Sequence, residues 1–359
     1  MPQPQRLDGD PKRDTSRLGT SPMPVKHWSA AGLVLTYWCN ARCASCYLCC
    51  GPEDHAWMSA DDALDHWRQL ASASPHGCRV HLTGGEPFGN WPLLIEVARR
   101  AKAEGLGPLD KVETNAFWAD DEGEARQRLA ALDEAGMRRL TVSADPYHQQ
   151  FVPIDRCRLL AAAAVEVLGP GRVQVRWPDW LEHGFDTAAM SSRDREALFV
   201  RYATQGRDRF NGRAAGLLAG HPQQKTLKEL ADENCREPLL RSRHVHVDPD
   251  GLVMPGTCAG IVLGIAGPET IQAIWSSLGR DHADRPVVGA LAARGPVGLL
   301  EMGLVAGYSP RESYAGKCQL CWEIRGRLAA GGLHDGELSP RWMYGVCPCG
   351  NLNSQAGQT

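Results

Sequence analysis

The stretch Leu33-Val34-Leu35-Thr36-Tyr37-Trp38-Cys39-Asn40-Ala41-Arg42-Cys43-Ala44-Ser45-Cys46 sets an apolar run directly before three cysteines. Leu33–Tyr37 reads as a strand, and the cysteines after it have the spacing C-x3-C-x2-C in one tight loop. A [4Fe–4S] cube used only for electron transfer normally has four protein thiolates, one for each iron. Three ligands leave one iron open to a substrate or cofactor. A bacterial ferredoxin would continue with a fourth Cys and then Pro, but that position holds Glu53. Cys49 and Cys50 permit a second register, Cys43, Cys46 and Cys49. Because C-x2-C pairs also suit tetrahedral zinc, a zinc loop stands beside the cluster reading.

The wider composition agrees with a metalloprotein. The chain has 13 Cys in 359 residues, an odd number grouped in clusters, which points to metal ligands in a cytoplasmic chain more than to disulfides. Residues 1–28 are rich in Pro, Arg, Asp and Ser and lack the apolar core of a signal peptide. No uninterrupted apolar run reaches the roughly 18 residues of a membrane span, so no membrane partner is expected. The net charge of −3 gives no reason to expect nucleic acid. With 43% hydrophobic residues, the chain can bury a large core.

From residue 33 onward, strand and helix signals alternate. The strand candidates are Leu33–Tyr37, Arg79–Leu82, Lys111–Thr114, Arg139–Ser143 and Arg172–Arg176, with a sixth at Leu198–Ala203. Between them, Ser59 and Asp62 resemble a capping box before the face of Leu64, Trp67 and Leu70. Helices are expected over Asp121–Ala135 and Ile154–Leu168, ended by Gly136 and Gly169-Pro170. This alternation favours an α/β fold with a parallel sheet, whose chemistry sits at the carboxyl ends of its strands.

The second strand runs into Leu82-Thr83-Gly84-Gly85-Glu86-Pro87. Together with the cysteine loop, this Gly-Gly-Glu-Pro segment resembles the signatures of the radical S-adenosylmethionine (radical SAM) superfamily. Ser45 departs from the family's usual aromatic residue before the third cysteine. The resemblance implies a partial (β/α)6 barrel over residues 29–230. It also implies a [4Fe–4S] cluster on Cys39, Cys43 and Cys46, its open iron chelated by the amino and carboxylate groups of SAM. Gly84, Gly85 and Glu86 would accept hydrogen bonds from the methionyl ammonium. The strand-end residues Asn115, Ser143, Asp145 and Arg176 fall where the family holds the ribose diol and the SAM carboxylate. Tyr147 and His148 lie just beyond, as candidates to deliver a proton or hydrogen atom. Trp177 and Trp180 would wall a substrate or simply pack. Gly212-Arg213-Ala214 resembles a Gly-Arg-Ala element found before the extension in some of these enzymes, and also reads as a solvated basic turn.

A second cysteine group follows residue 230: Cys235, Cys258, Cys318, Cys321, Cys347 and Cys349. His246–Pro255 reads as a hairpin turning at Asp250-Gly251. That order is similar to the start of a SPASM or twitch extension, which binds auxiliary [4Fe–4S] clusters and would occupy residues 231–350, before a flexible tail at 351–359. Six cysteines fall short of the seven of a full SPASM pattern. One auxiliary cluster on Cys258, Cys318, Cys321 and Cys347 or Cys349 is the expectation. The alternative is a structural zinc on Cys318, Cys321, Cys347 and Cys349. Cys78 and Cys157 read as core residues.

The resemblance implies one-electron cleavage of SAM to methionine and a 5′-deoxyadenosyl radical, which takes hydrogen from a substrate C–H bond. A reductant such as flavodoxin or ferredoxin would supply the electron. Such extensions often accompany peptide modification, so a peptide or protein side chain is the leading substrate and a small-molecule metabolite the alternative. Residues 1–28 are too short for the leader-binding domain of many peptide-modifying relatives. A non-enzymatic iron–sulfur or zinc scaffold is the remaining reading, and the Gly-Gly-Glu segment argues against it.

Overall fold

The computed structural model describes residues 25–205, 211–217 and 221–345. Five parallel strands appear, four where the alternation places them and the first starting three residues earlier than Leu33–Tyr37: β1 (Ala30–Val34), β2 (Arg79–Thr83), β3 (Leu109–Thr114), β4 (Arg139–Val142) and β5 (Val173–Val175). A short strand, β6 (Lys225–Thr226), pairs with β10 (Ser313–Tyr314) away from the main sheet. The main sheet continues through β7 (His244–Val247), β8 (Leu252–Pro255) and β9 (Gly264–Ile265) in the order β5-β4-β3-β2-β1-β7-β8-β9. β7 runs parallel to β1, so six parallel strands form the partial barrel. The sixth is not the one expected. Leu198–Ala203 lies inside a helix, Ser192–Ala203, because Phe199, Tyr202 and Ala203 share one buried helical face.

Helices α1 (Ala60–Ala73), α2 (Trp91–Ala103), α3 (Glu122–Glu134) and α4 (Ile154–Leu168) link the first five strands. The Ser59 hydroxyl caps α1 by accepting from the Asp62 amide, and Asn90 caps α2 through the Leu93 amide. One face of the sheet carries Val80, Leu82, Val112, Leu140 and Val142, all wholly buried. Each such side chain contributes about 1.5–3 kcal/mol by leaving water. The alternate residues on the other face are polar: His81, Lys111, Glu113, Thr141 and Gln174 line a cavity on the concave side. The sheet is thus half core and half binding surface.

The hairpin of β7 and β8 turns at Asp250-Gly251, where Gly251 adopts φ +76°. The sheet crosses residue 230 without a break, and Tyr37 Oη donates to Asp248 Oδ2 across it at 2.8 Å. One stretch, Pro286–Val305, has the length and mean hydropathy of a membrane span. It is a succession of short helices broken at Gly295, φ +62°, and 56% of it is buried inside the protein.

Candidate functional site

Three thiols meet at the carboxyl ends of the parallel strands. Cys39, Cys43 and Cys46 line one cavity with Gly84, Gly85, Asn115, Ser143, His148, Arg176 and Arg213. Cys49 turns the other way, into a cleft with Trp322 and Tyr344, at φ +58°. The structure therefore brings together the register Cys39, Cys43, Cys46. Cys50 shares the same cavity beside Cys46. The neighbouring Cys50 thiol, together with Arg213, pulls the Cys46 thiol down to about 5 against the effect of burial.

The loop is held from outside by Gly212-Arg213. The Arg213 guanidinium donates to the carbonyls of Cys43 at 2.8 Å and Cys50 at 2.7 Å, and its amide to that of Cys46. A Cβ at Gly212, φ +60°, would lie 2.5 Å from the Cys46 carbonyl. The segment is a clamp on the cysteine loop, so the solvated-turn reading fails for these two residues. Residues 206–210 of the basic stretch lie outside the described residues.

The Gly-Gly-Glu segment packs against the same loop from beneath. The amides of Gly85 and Glu86 donate to the carbonyls of Thr36 and Trp38. The Glu86 carboxylate is wholly buried and accepts from the Phe88 amide, the Thr114 hydroxyl and the Asn115 amide. Burial pushes its pKa up to about 7 against those bonds. These bonds tie the end of β2 to the end of β3.

Asp145 is held by its own neighbours in the same manner. Its buried carboxylate accepts from the amides of Tyr147 and His148 and from His148 Nδ1 at 2.8 Å, and lies 3.5 Å from Arg176 Nε. Burial opposes its charge, but His148 and Arg176 hold the pKa far below the carboxylate range. It orients those two side chains and does not line the cavity. His148, whose pKa is raised by Asp145 in spite of burial, bonds Cys43 on its other side. Tyr147 is wholly buried and donates to the Phe199 carbonyl, which removes it as a proton donor in the cavity. Asn115 bonds Asn40 at 2.9 Å and approaches Cys39 Sγ at 3.6 Å. Trp177 and Trp180 are buried against Tyr202, and Trp180 Nε1 also donates to Gln149 Oε1 at 3.1 Å.

The donor set fits a cluster better than a single ion. A tetrahedral zinc thiolate site places its sulfurs roughly 3.8 Å apart. Among the described residues, no three cysteines bring their sulfurs all within 4.8 Å of one another. Three thiols on one cavity match the three protein ligands of a cube with one open iron.

A second thiol group lies in the extension. Cys235, Cys258, Cys318 and Cys321 line one cavity with Lys317 and Arg325. Neighbouring thiols add to burial in raising the Cys318 pKa to about 12. Arg325, a buried cation, donates to the Ala259 carbonyl and to Tyr344 Oη and bonds Cys321. Cys347 and Cys349, expected to supply the fourth ligand, lie outside the described residues. Cys235 lines this cavity beside the other three, ahead of a helical turn at Glu237–Arg241. Its isolation in sequence gave no spacing signal. Cys78 and Cys157 are wholly buried core residues, as expected.

Residues 33–158 match the family model of the radical SAM superfamily. The chain carries a radical SAM domain there, and the matched segment holds the three-cysteine loop and the Gly-Gly-Glu segment. Among curated relatives, a GTP 3′,8-cyclase of Xanthomonas campestris pv. campestris (strain B100) is 34% identical over 113 residues. That alignment covers 30% of this chain and 31% of the relative. The GTP 3′,8-cyclase of Synechococcus sp. (strain WH7803) is 29% identical over 133 residues, 36% of this chain and 38% of the relative. The chain therefore spans about a third of the length of the curated relatives it matches. Similar solved structures include BtrN in complex with AdoMet and 2-DOIA, at 18% identity and TM-score 0.43, covering 72% of this chain and 87% of that one. Native anSMEcpe with bound AdoMet and Cp18Cys peptide is 13% identical at TM-score 0.41, covering 86% and 92%. At these TM-scores the likeness carries no functional weight.

Proposed function

We propose that the chain is a radical SAM enzyme. The observation that carries this reading is the convergence of Cys39, Cys43 and Cys46 with Gly84, Gly85, Ser143 and Arg176 on one cavity at the strand ends. When bound, the cluster and SAM supply a one-electron cleavage of the sulfonium and a 5′-deoxyadenosyl radical that takes hydrogen from substrate. The three thiolates would hold the cluster, and the buried loop around them keeps water from it. Ser143 has the hydroxyl to bond a ribose, and Arg176 the fork to hold a carboxylate. Asp145 fixes Arg176 and His148 in place. Asn115 and the Ala41 amide point hydrogen bonds at Cys39 Sγ, which would raise the cluster's potential by easing the thiolate's charge.

Cys235, Cys258, Cys318 and Cys321 would hold one auxiliary [4Fe–4S] cluster, with Lys317 and Arg325 offsetting its negative charge. This reading supports the twitch-like form of the extension over a structural zinc. A reductant such as flavodoxin or ferredoxin would deliver the electron. The concave face beside the SAM cavity is polar throughout, so the substrate presents a polar, hydrogen-bonding group to it. A peptide bearing such a side chain remains the leading substrate because of the auxiliary-cluster extension. The names of the curated relatives favour a small molecule as the second reading.

Anaerobic reconstitution followed by reduction with SAM tests the proposal. 5′-Deoxyadenosine should form above a no-enzyme control and vanish when Cys39, Cys43 and Cys46 are all replaced by Ala. A fully loaded cluster that yields none would overturn it.

A further inference from the structure

Three histidines outside both thiol groups converge on the concave face. In the sheet register, Gly32 of β1 lies between His81 of β2 and His246 of β7. His244 sits two residues before His246, so all three project to the same side. Gly32 is what lets them meet. A Cβ there would stand 2.3 Å from His246 Cδ2, 2.6 Å from His81 Nε2 and 2.7 Å from His246 Nε2. The ring centroids lie 5.2, 5.6 and 4.7 Å apart, and one nitrogen from each ring falls within 4.8 Å of the others. Among the described residues, this is the one group of His, Cys, Asp and Glu so convergent.

We propose that His81, His244 and His246 form a binding site for a divalent transition metal ion. Three imidazoles on one side of an ion leave its remaining positions open, the arrangement of catalytic rather than structural sites. His81 and His246 are buried, which fixes their rings. The open side faces the cavity lined by Lys111, Glu113, Ser143 and Arg176, and the last two also line the SAM cavity. An oxygen or nitrogen donor of the substrate bound to the ion would sit beside the radical source. That role rests on the radical SAM reading, whereas the metal site itself does not.

Equilibrium dialysis of the anaerobically reconstituted protein against Co(II) tests the site, with cobalt and iron both counted per chain. The clusters are loaded first, so that thiolates do not compete for cobalt. Wild-type protein should retain one cobalt beyond its iron, with the paramagnetic signal of high-spin Co(II) while the clusters are oxidised. His81→Gln and His246→Gln should each weaken retention by more than about 100-fold, beyond the loss typical of an outer-shell change. His244→Asn alters the half-buried member of the three and should do the same with iron content unchanged, which covers failure of the buried variants to fold. Wild-type protein that retains no cobalt would overturn the site, as expected if the imidazoles bind only an anionic group. Retention that survives His244→Asn in a protein with full iron would overturn it equally. Neither count depends on SAM cleavage, so failure here is distinct from failure of the radical reading.

Discussion

At the scale of single residues, the site is set by where a side chain has no room. A Cβ on Gly85 would lie 2.0 Å from the Trp38 carbonyl and 2.8 Å from that of Tyr37, both backbone atoms leading into the cysteine loop. Neither can yield without moving Cys39. Gly85→Ala should therefore cost about 1–3 kcal/mol, as overpacking of a tight contact does. It should also lower iron content together with SAM affinity. Equilibrium unfolding and iron analysis check this, and a variant with full iron and wild-type stability would contradict it. The sequence suggests a different loss, of ligand contact alone. The structure shifts it to the loop because Gly85 packs against the protein's own backbone.

The polar residues of the site divide by the same logic. Ser143 and Arg176 reach the cavity, whereas Glu86 and Asp145 are consumed by backbone amides of the segments that follow them. A carboxylate at a strand end finds unpaired N–H groups of the next turn close by, and it satisfies those first. Only the folded loops show which carboxylates are so taken.

At the scale of elements, the extension makes two predictions. Wild-type protein should carry about eight irons, two cubes of four. Cys235→Ala should lower the count toward about four and spare SAM cleavage, whereas Cys347→Ala/Cys349→Ala should leave the count near eight. Iron analysis of the two variants separates the ligand sets.

The hairpin offers the second test. Burial pushes the Asp248 carboxyl up to about 7, against hydrogen bonds from Tyr37 and the amides of Leu252 and Asp250, with the Asp250 charge adding to the rise. The folded pKa lies above the unfolded value of about 3.9. Its stabilisation is thus full below about pH 4 and lost as pH rises through about 7. The urea midpoint should fall between about pH 5 and pH 7.5, and Asp248→Asn should flatten that fall. An identical slope in the variant would remove Asp248 as the cause.

At the scale of the whole molecule, barrel and extension share one sheet. β7 pairs with β1 over Ala30 to Leu33, and Tyr37 bonds Asp248. A fragment ending at residue 230 would leave β1 as an open edge, with its buried Leu33 and Val34 losing their neighbours. Such a fragment should lack a cooperative thermal transition and should not retain the first cluster. Circular dichroism and iron analysis would show it, and a fragment that melts cooperatively with about four irons would refute the dependence. The boundary read near residue 230 follows the cysteine grouping, but the hydrogen-bond ladder ignores it.

The chain's own order of residues determined the five first strands, their linking helices and the three-cysteine loop. Those signals are local: a period of 2 or 3.6, a cap, a spacing of a few residues, each legible within one window. Only the tertiary structure decided that Cys235 joins Cys258, Cys318 and Cys321, and that His81 meets His244 and His246 over Gly32. It also replaced the sixth strand, since Leu198–Ala203 is helical and β7 completes the parallel set. These partners are far apart along the chain, and no window holds both. The histidines meet because parallel strands pair through backbone hydrogen bonds whose register sequence spacing does not encode, and the cysteines because a helix far along the chain, Lys317–Ala330, packs beside two loops.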